Sequence, residues 1–220
     1  STLVAAGVDA GVLEGLGLDG DDLAGAVTLI TAAAAALDLL RVVGEGATRV
    51  SSLVKSMKDY SYLDRAPVQD VDVTKGIDDT LLILRSKLKD FEVVTDYADD
   101  IPEIQAHGSE LNQVWTNLID NAIDAMAEHG GSKLGIRVTR EDDMVVVEIT
   151  DDGGGIPPEV QPRIFDAFFT TKPPGKGTGQ GLGITFSIVT QSHGGNVFVK
   201  ETGPEGTTFR VELPIAGPPE

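Results

Sequence analysis

Residues 109–128, S-E-L-N-Q-V-W-T-N-L-I-D-N-A-I-D-A-M-A-E, leave little choice of local structure. At about 100° per residue, Leu111, Val114, Trp115, Leu118, Ala122, Ala125 and Met126 share one broad apolar arc, which predicts a helix with that arc turned into a core. On the other side Glu110, Asn117, Asn121, Asp124 and Glu128 form a strip about one side chain wide, because residues three and four apart stack along a helix. A solvated outer face accounts for most such strips. Two asparagines fit solvation poorly, since Asn is a weaker helix former than Lys or Glu. Their neutral carbonyl oxygens suit a site that needs uncharged acceptors, so the strip predicts half of a binding site.

A chain of 220 residues with 41% hydrophobic content can build one full domain and a smaller appendage. With 35 acidic against 17 basic residues, the formal charge of −18 argues against nucleic-acid binding and against adhesion to an anionic membrane. The absence of cysteine excludes a disulfide scaffold and a thiolate metal site. The longest apolar run, residues 24–37, is interrupted by Gly25, Thr28 and Thr31 and closed by Asp38. It is expected to fall short of the ~20 residues of a spanning helix, and the protein to be soluble and cytoplasmic.

Residues 1–21 are rich in Gly and Asp, with room for one short helix over residues 8–16. From Leu23 through Val27, Ile30, Ala34 and Leu37, then Leu40, Val43, Ala47, Val50, Val54 and Met57, four-three spacing draws a seam for helix–helix packing, bent near Gly44 and Gly46. Such a seam with no core beside it predicts dimerisation through residues 22–63. Residues 64–72, with Pro67 and few apolar positions, read as the boundary between a helical segment (residues 1–65) and a second domain (residues 66–220).

In the second domain, residues 77–88 read as a helix capped by Thr74, and residues 91–97, 104–106, 133–139 and 144–150 as strands, with Glu141, Asp142 and Asp143 as a turn. Residues 181–191 read as a helix ending before Gly194 and Gly195, followed by a hairpin of residues 196–200 and 207–213. This mixture predicts an α+β fold, a two-layer sandwich whose sheet has one face covered by helices.

Two loops carry chemistry. Asp151 leaves an apolar strand and meets Gly153, Gly154, Gly155 and Ile156; such an aspartate can accept from an exocyclic amine while glycines admit a flat ring, although an acidic turn would look similar. The run Gly175, Lys176, Gly177, Thr178, Gly179, Gln180, Gly181, Leu182, Gly183 enters a helix directly, an arrangement whose backbone N–H groups suit a polyphosphate. It is neither a P-loop nor a dinucleotide fingerprint, by its spacing. Between the loops lie Phe165, Phe168 and Phe169, then Thr170, Thr171 and Lys172. Three phenylalanines in a chain with 5% aromatics are either core or the anchors of a lid.

Taken together, Asn117-Leu118-Ile119-Asp120-Asn121-Ala122 resembles the N box, Asp151-x-Gly153-x-Gly155 the G1 box, residues 165–172 the F box, and Gly177-Thr178-Gly179-x-Gly181-Leu182-Gly183 the G2 box of sensor histidine kinases of the GHKL type. The closing hairpin, with Gly206, Thr207, Thr208 and Phe209, is similar as well. The likeness spans residues 68–215 with every box in order. It implies a GHKL sandwich preceded by a helical dimerisation segment, with ATP and Mg²⁺ as cofactors. By the same resemblance Asp151 would bind the adenine amino group, with Gly153, Gly155, Ile156 and Thr207 around it. Asn121 would be the Mg²⁺ ligand, Asn117 would support metal or phosphates, and both would be catalytic. Lys172, Lys176, Gly177, Thr178, Gly179, Gly181, Leu182 and Gly183 would hold the phosphates.

Gyrase and chaperone relatives carry Glu where Asn117 stands, so the resemblance favours phosphotransfer over hydrolysis. Many histidine kinases carry Lys where Asp124 stands, whereas N-A-I-D-A-M with F-F-T-T-K resembles the nitrogen-regulation type. None of the three histidines, His107, His129 and His193, has the setting of a phosphoacceptor; His129 and His193 suit helix capping, and His107 a structural role. The acceptor helix is therefore expected upstream, with residues 47–63 as the second helix of its hairpin and a response regulator as a further partner. The alternatives are a non-catalytic nucleotide switch and a GHKL ATPase.

Overall fold

A computed structural model describes residues 25–44, 46, 68–173 and 177–217 of the protein. They fall into two compact units, divided between Asp59 and Tyr60. The expected helices at residues 8–16 and 47–63, the boundary at residues 65 and 66, and Lys176 lie outside the described residues.

In the first unit, helix α1 (Gly25–Gly44) follows from a run of alanine, leucine and valine. Asp38, which closes the apolar run in the sequence, does not end the helix. Asp38 pairs with Arg41 three residues on, at 3.0 Å, and the helix continues. By length and composition alone, its 20 residues are therefore long and apolar enough to cross a membrane, which corrects the shorter run expected from sequence. Leu37, Leu40 and Val43 of the seam are exposed, while Val27 and Ile30 are partly covered.

The second unit opens with strand β1 (Gln69–Val71), inside the segment read as a linker. Being three residues long and mostly polar, it carries no periodic signal; it forms because it pairs antiparallel with β3 (Ile104–Ala106). Helix α2 (Val73–Ile83) starts four residues earlier than expected. Its cap is Asp72, whose Oδ1 accepts the Lys75 N–H at 3.1 Å, while Thr74 donates its hydroxyl to the same oxygen. Leu84 breaks the helical hydrogen bonding and a short α3 (Arg85–Leu88) follows.

Strands β2 (Glu92–Tyr97), β4 (Lys133–Glu141), β5 (Met144–Asp151), β6 (Asn196–Gly203) and β7 (Gly206–Pro214) form one sheet in the order β2-β4-β5-β7-β6. Only the β2–β4 pair is parallel. Its core face presents Leu134, Ile136, Val138, Val145, Val147, Ile149, Val211 and Leu213, all buried. Against it lies α4 (Gly108–His129), the helix read from the apolar arc, ending at Gly130 in the left-handed conformation (φ 80°). Ile119 and Ile123 are buried too, which widens the arc because α2 and the helix after the glycine loop flank α4. Glu110 leaves the polar strip: it is buried in the first turn, with Oε2 lacking a hydrogen-bond partner.

The helix expected over residues 181–191 is two pieces, α5 (Gly181–Ser187) and a π-helical turn (Ile188–Ser192). The cause is His193, almost fully buried. Its Nδ1–H donates to the Ile188 carbonyl at 2.9 Å, and Nε2 accepts the His107 N–H at 3.1 Å, which fixes the neutral ring. Burial pushes the His193 imidazole below its ordinary value of 6.5, against the opposing pull of Glu110, with His107 beside it. As pH drops below 6.5, the unfolded chain takes up the proton before the folded one, so stability declines through that window. Urea midpoints between pH 5 and 8 are expected to fall towards acid in the wild type and less steeply in His193→Gln; equal slopes would refute this account.

Candidate nucleotide site

Along β5 the residues facing the core are Val145, Val147, Ile149 and then Asp151, so the alternation of the strand delivers a carboxylate to the core side at the sheet's end. Asp151 is 4% exposed. Its Oδ1 accepts the Gly153 N–H at 2.9 Å, and the Thr207 backbone N–H also donates to the carboxylate. Burial nevertheless dominates and raises its pKa above the ordinary aspartate value. Asp152 turns the other way. It accepts the Ser132 and Lys133 N–H groups at 2.7 and 2.9 Å, which hold its carboxyl below the usual range and lock the turn between α4 and β4.

Asp151 lies on the wall of a cavity of about 380 Å³ between α4, the segment after β5, the glycine loop and β7. Gly155 is required where the wall turns: it sits at φ 73°, and an added Cβ would stand 2.1 Å from the Gly203 carbonyl oxygen. Next to it the Ile156 N–H donates to Thr202 Oγ1 at 2.8 Å, and the Ile156 carbonyl accepts from Gln161 Nε2 at 2.8 Å. Thr202 and the buried Thr207 are joined through their hydroxyls at 3.1 Å. Ile156 is thus pinned as a rigid apolar wall beside Asp151.

From α4, Asn117 and Asn121 reach the same cavity. Asn117 Nδ2 donates to the Gly181 carbonyl at 3.0 Å and lies 3.3 Å from Thr185 Oγ1, tying α4 to α5 and leaving Oδ1 as its acceptor. Asn121 Oδ1 faces Lys172 Nζ at 3.5 Å, and the same ammonium is 2.5 Å from Asp124 Oδ2. Amide oxygens are hard donors that suit Mg²⁺, and Asn121 Oδ1 already faces a positive group, the Lys172 ammonium. Among the described residues no group of three His, Cys, Asp or Glu could hold a metal unaided, so the residues fit an ion whose remaining ligands come from phosphate and water.

Gly177, Thr178, Gly179, Gly181 and Leu182 line the cavity opposite the asparagines. Helix α5, which follows directly, is only seven residues long. Phe165 and Phe169 pack on the core, with Arg163 4.6 Å over the Phe169 ring and Phe186 5.5 Å from Phe165. Phe168 differs: it is half exposed and held at φ 67°, a strained conformation for a bulky residue at the start of the loop.

Of the residues singled out by sequence, Asn117, Asn121, Asp151, Gly155, Ile156, Lys172, Gly177, Thr178, Gly179, Gly181, Leu182 and Thr207 meet at this cavity. Gly153 lies beside it, against Ala125 of α4, and Gly183 packs on the segment of Phe165 and Ala167. Sequence reasoning missed Thr202 and the wall position of Phe169. The hairpin register that sets Thr202 opposite Thr207 is the signal that identifies the former.

Residues 106–217 match the family of histidine kinase-, DNA gyrase B- and HSP90-like ATPases. The sensor kinase CckA of Brucella abortus is 36% identical over 184 residues, 77% of this chain and 19% of that protein. The sensor histidine kinase ZraS of Escherichia coli is 32% identical over 179 residues, 80% of this chain and 37% of that protein. The chain thus spans between a fifth and two-fifths of these curated relatives. Among solved structures, the catalytic domain of histidine kinase ThkA superposes with a TM-score of 0.61 at 28% identity, covering 68% of this chain and 96% of that one. The mycobacterial sensor histidine kinase MprB gives 0.58 at 31% identity, covering 70% and 99%. The strand order, the cavity and these likenesses agree: the chain belongs to the histidine kinase-, DNA gyrase B- and HSP90-like ATPase family, and carries the ATP-binding catalytic domain of two-component sensor histidine kinases.

Proposed function

We propose that this domain transfers the γ-phosphate of ATP to a histidine on a dimerisation helix upstream of it, within a homodimer formed through residues 22–63. The observation that carries this reading is the convergence of Asp151, the two asparagines and the glycine loop on one cavity. Asp151 takes the adenine amino group, with Ile156 and Thr207 beside the ring. Asn121 holds Mg²⁺ with the support of Asn117, and Lys172 with the loop of Gly177, Thr178, Gly179 and Gly181 steadies the phosphates. Mg²⁺, when bound, supplies charge neutralisation across the β- and γ-phosphates; the protein supplies position. Transfer is favoured over hydrolysis because position 117 holds an amide committed to α5, and the nearby carboxylates of Asp120 and Asp124 are paired with Lys87 and Lys172.

The phosphorylated partner would be a response regulator, and Asp124 together with Lys172 supports placement near the nitrogen-regulation type. Work on ATP places the catalytic unit in the cytoplasm, while α1 is compatible with either a membrane anchor or a packed helix of the dimer.

The 220-residue protein incubated with labelled ATP and Mg²⁺ is expected to incorporate no phosphate by itself, and to deliver acid-labile phosphate when an upstream acceptor segment is supplied in trans. ATP binding without any transfer to that segment would instead support a nucleotide switch.

A further inference from the structure

Many histidine kinases are lysine-bearing at the position where this chain has Asp124, yet an ammonium group stands at that place here as well. Lys172 Nζ lies 2.5 Å from Asp124 Oδ2 and 3.5 Å from Asn121 Oδ1. Among the described residues lining the cavity, Lys172 is the only lysine or arginine. Opposite it α4 presents Asp120, Asp124 and Glu128, which would repel an entering polyphosphate unless a cation intervened. Asp120 is already paired with Lys87 at 2.8 Å.

The lysine is also built into the loop rather than waving from it. Its side chain is 28% exposed, and its backbone N–H donates to Thr170 Oγ1 at 3.1 Å. An added Cβ on Gly177 would stand 2.6 Å from Thr170 Oγ1, 3.0 Å from Lys172 Cβ and 3.2 Å from Cδ, so the glycine loop rests on the lysine stem. Asp124, 55% exposed, is the solvated partner, so the order in this pair comes from the lysine's seat in the loop rather than from the ion pair alone.

We propose that Asp124 is a positioning residue: it fixes the Lys172 ammonium beside Asn121 at the phosphate end of the cavity, so that the cation other kinases carry on the helix is delivered by the loop and held by the helix. The inference rests on placing the nucleotide in this cavity. It inverts what charge alone dictates, because an acidic residue beside a polyphosphate then strengthens binding.

A double-mutant cycle reads this inversion. Dissociation constants for a non-hydrolysable ATP analogue with Mg²⁺ are measured by calorimetry for the wild type, Asp124→Asn, Lys172→Ala and the double variant. Lys172→Ala is expected to weaken binding about tenfold, the order of one charge-assisted hydrogen bond. Asp124→Asn is expected to weaken it about threefold or more when Lys172 is present, and to leave it unchanged or tighten it when Lys172 is absent. Asp124→Lys in the Lys172→Ala background should restore affinity to within about threefold of wild type by returning the cation to the helix. Equal effects of Asp124→Asn in both backgrounds, or tightening in both, would overturn the proposal. Asp151→Asn serves as the control. If it binds the analogue undiminished, the nucleotide is not in this cavity and the inference falls with that placement; if it loses binding while the cycle is additive, only the role of Asp124 falls.

Discussion

Asp151→Asn is expected to weaken adenine nucleotide binding by about 100-fold or more while leaving the protein folded. The carboxylate receives the Gly153 N–H at 2.9 Å and the Thr207 N–H, and keeps lone-pair capacity for the exocyclic amine. Asparagine offers a single oxygen, so its NH₂ must confront one of those donors. Losing a hydrogen bond to a charged group costs about 1.5–3 kcal/mol, and an unsatisfied buried donor about 1–3 kcal/mol more, a combined range of about 2.5–6 kcal/mol that starts near the roughly 2.7 kcal/mol of a 100-fold change. Calorimetry with ADP checks it, with the circular dichroism spectrum as the control for folding. The raised pKa of Asp151 adds a sign. Since burial makes protonation easier than for an ordinary aspartate, acidification converts the acceptor to a donor earlier, and wild-type affinity should weaken towards acid at pH values above 3.8. Affinity that is flat with pH, or unchanged in Asp151→Asn, would remove Asp151 from the adenine site.

Leu118→Ala is expected to lower the unfolding free energy of the catalytic unit by about 2–5 kcal/mol, a large share of the 5–15 kcal/mol that such domains possess. Leu118 is completely buried, one turn from Trp115 and between the two asparagines of α4. Removing three carbons there opens a void beneath the nucleotide cavity, in a layer flanked by the sheet and α5. The chain's single tryptophan, Trp115, is itself fully buried, so its emission reports the transition without any label. A urea titration followed by that emission should show the midpoint shift. A change below about 0.5 kcal/mol would mean that α4 is not seated as described.

What the residues announce about themselves depends on whether the constraint is local. Helix α4 is legible to within one residue at each end because its period repeats over six turns. Asp151 is legible because it continues the inward alternation of β5, and the glycine loop because only an unusual backbone needs so many glycines. Some failures are local, such as the cap at Asp72 in place of Thr74, but the larger ones have remote causes. Strand β1 exists through its partner β3 across more than thirty residues. The π turn after α5 follows from a histidine that binds a backbone group 86 residues away. Glu110 satisfies the spacing of the polar strip but lies buried in the α4 turn beside that histidine. The pairing of Asp124 with Lys172 joins residues 48 apart, and nothing near either one in the chain foretells it.

The hydrogen bond from Asn117 to the Gly181 carbonyl bears on how the two chemistries of this fold diverge. A glutamate at position 117, the residue that hydrolytic relatives use, has no donor for that carbonyl oxygen when ionised. The substitution that supplies a base therefore also pulls the pin between two helices. Thr185 Oγ1, 3.3 Å from the same amide, is the hydroxyl placed to turn towards a carboxylate there, so this one position governs both the chemistry open to the site and the seating of the helix that follows the glycine loop.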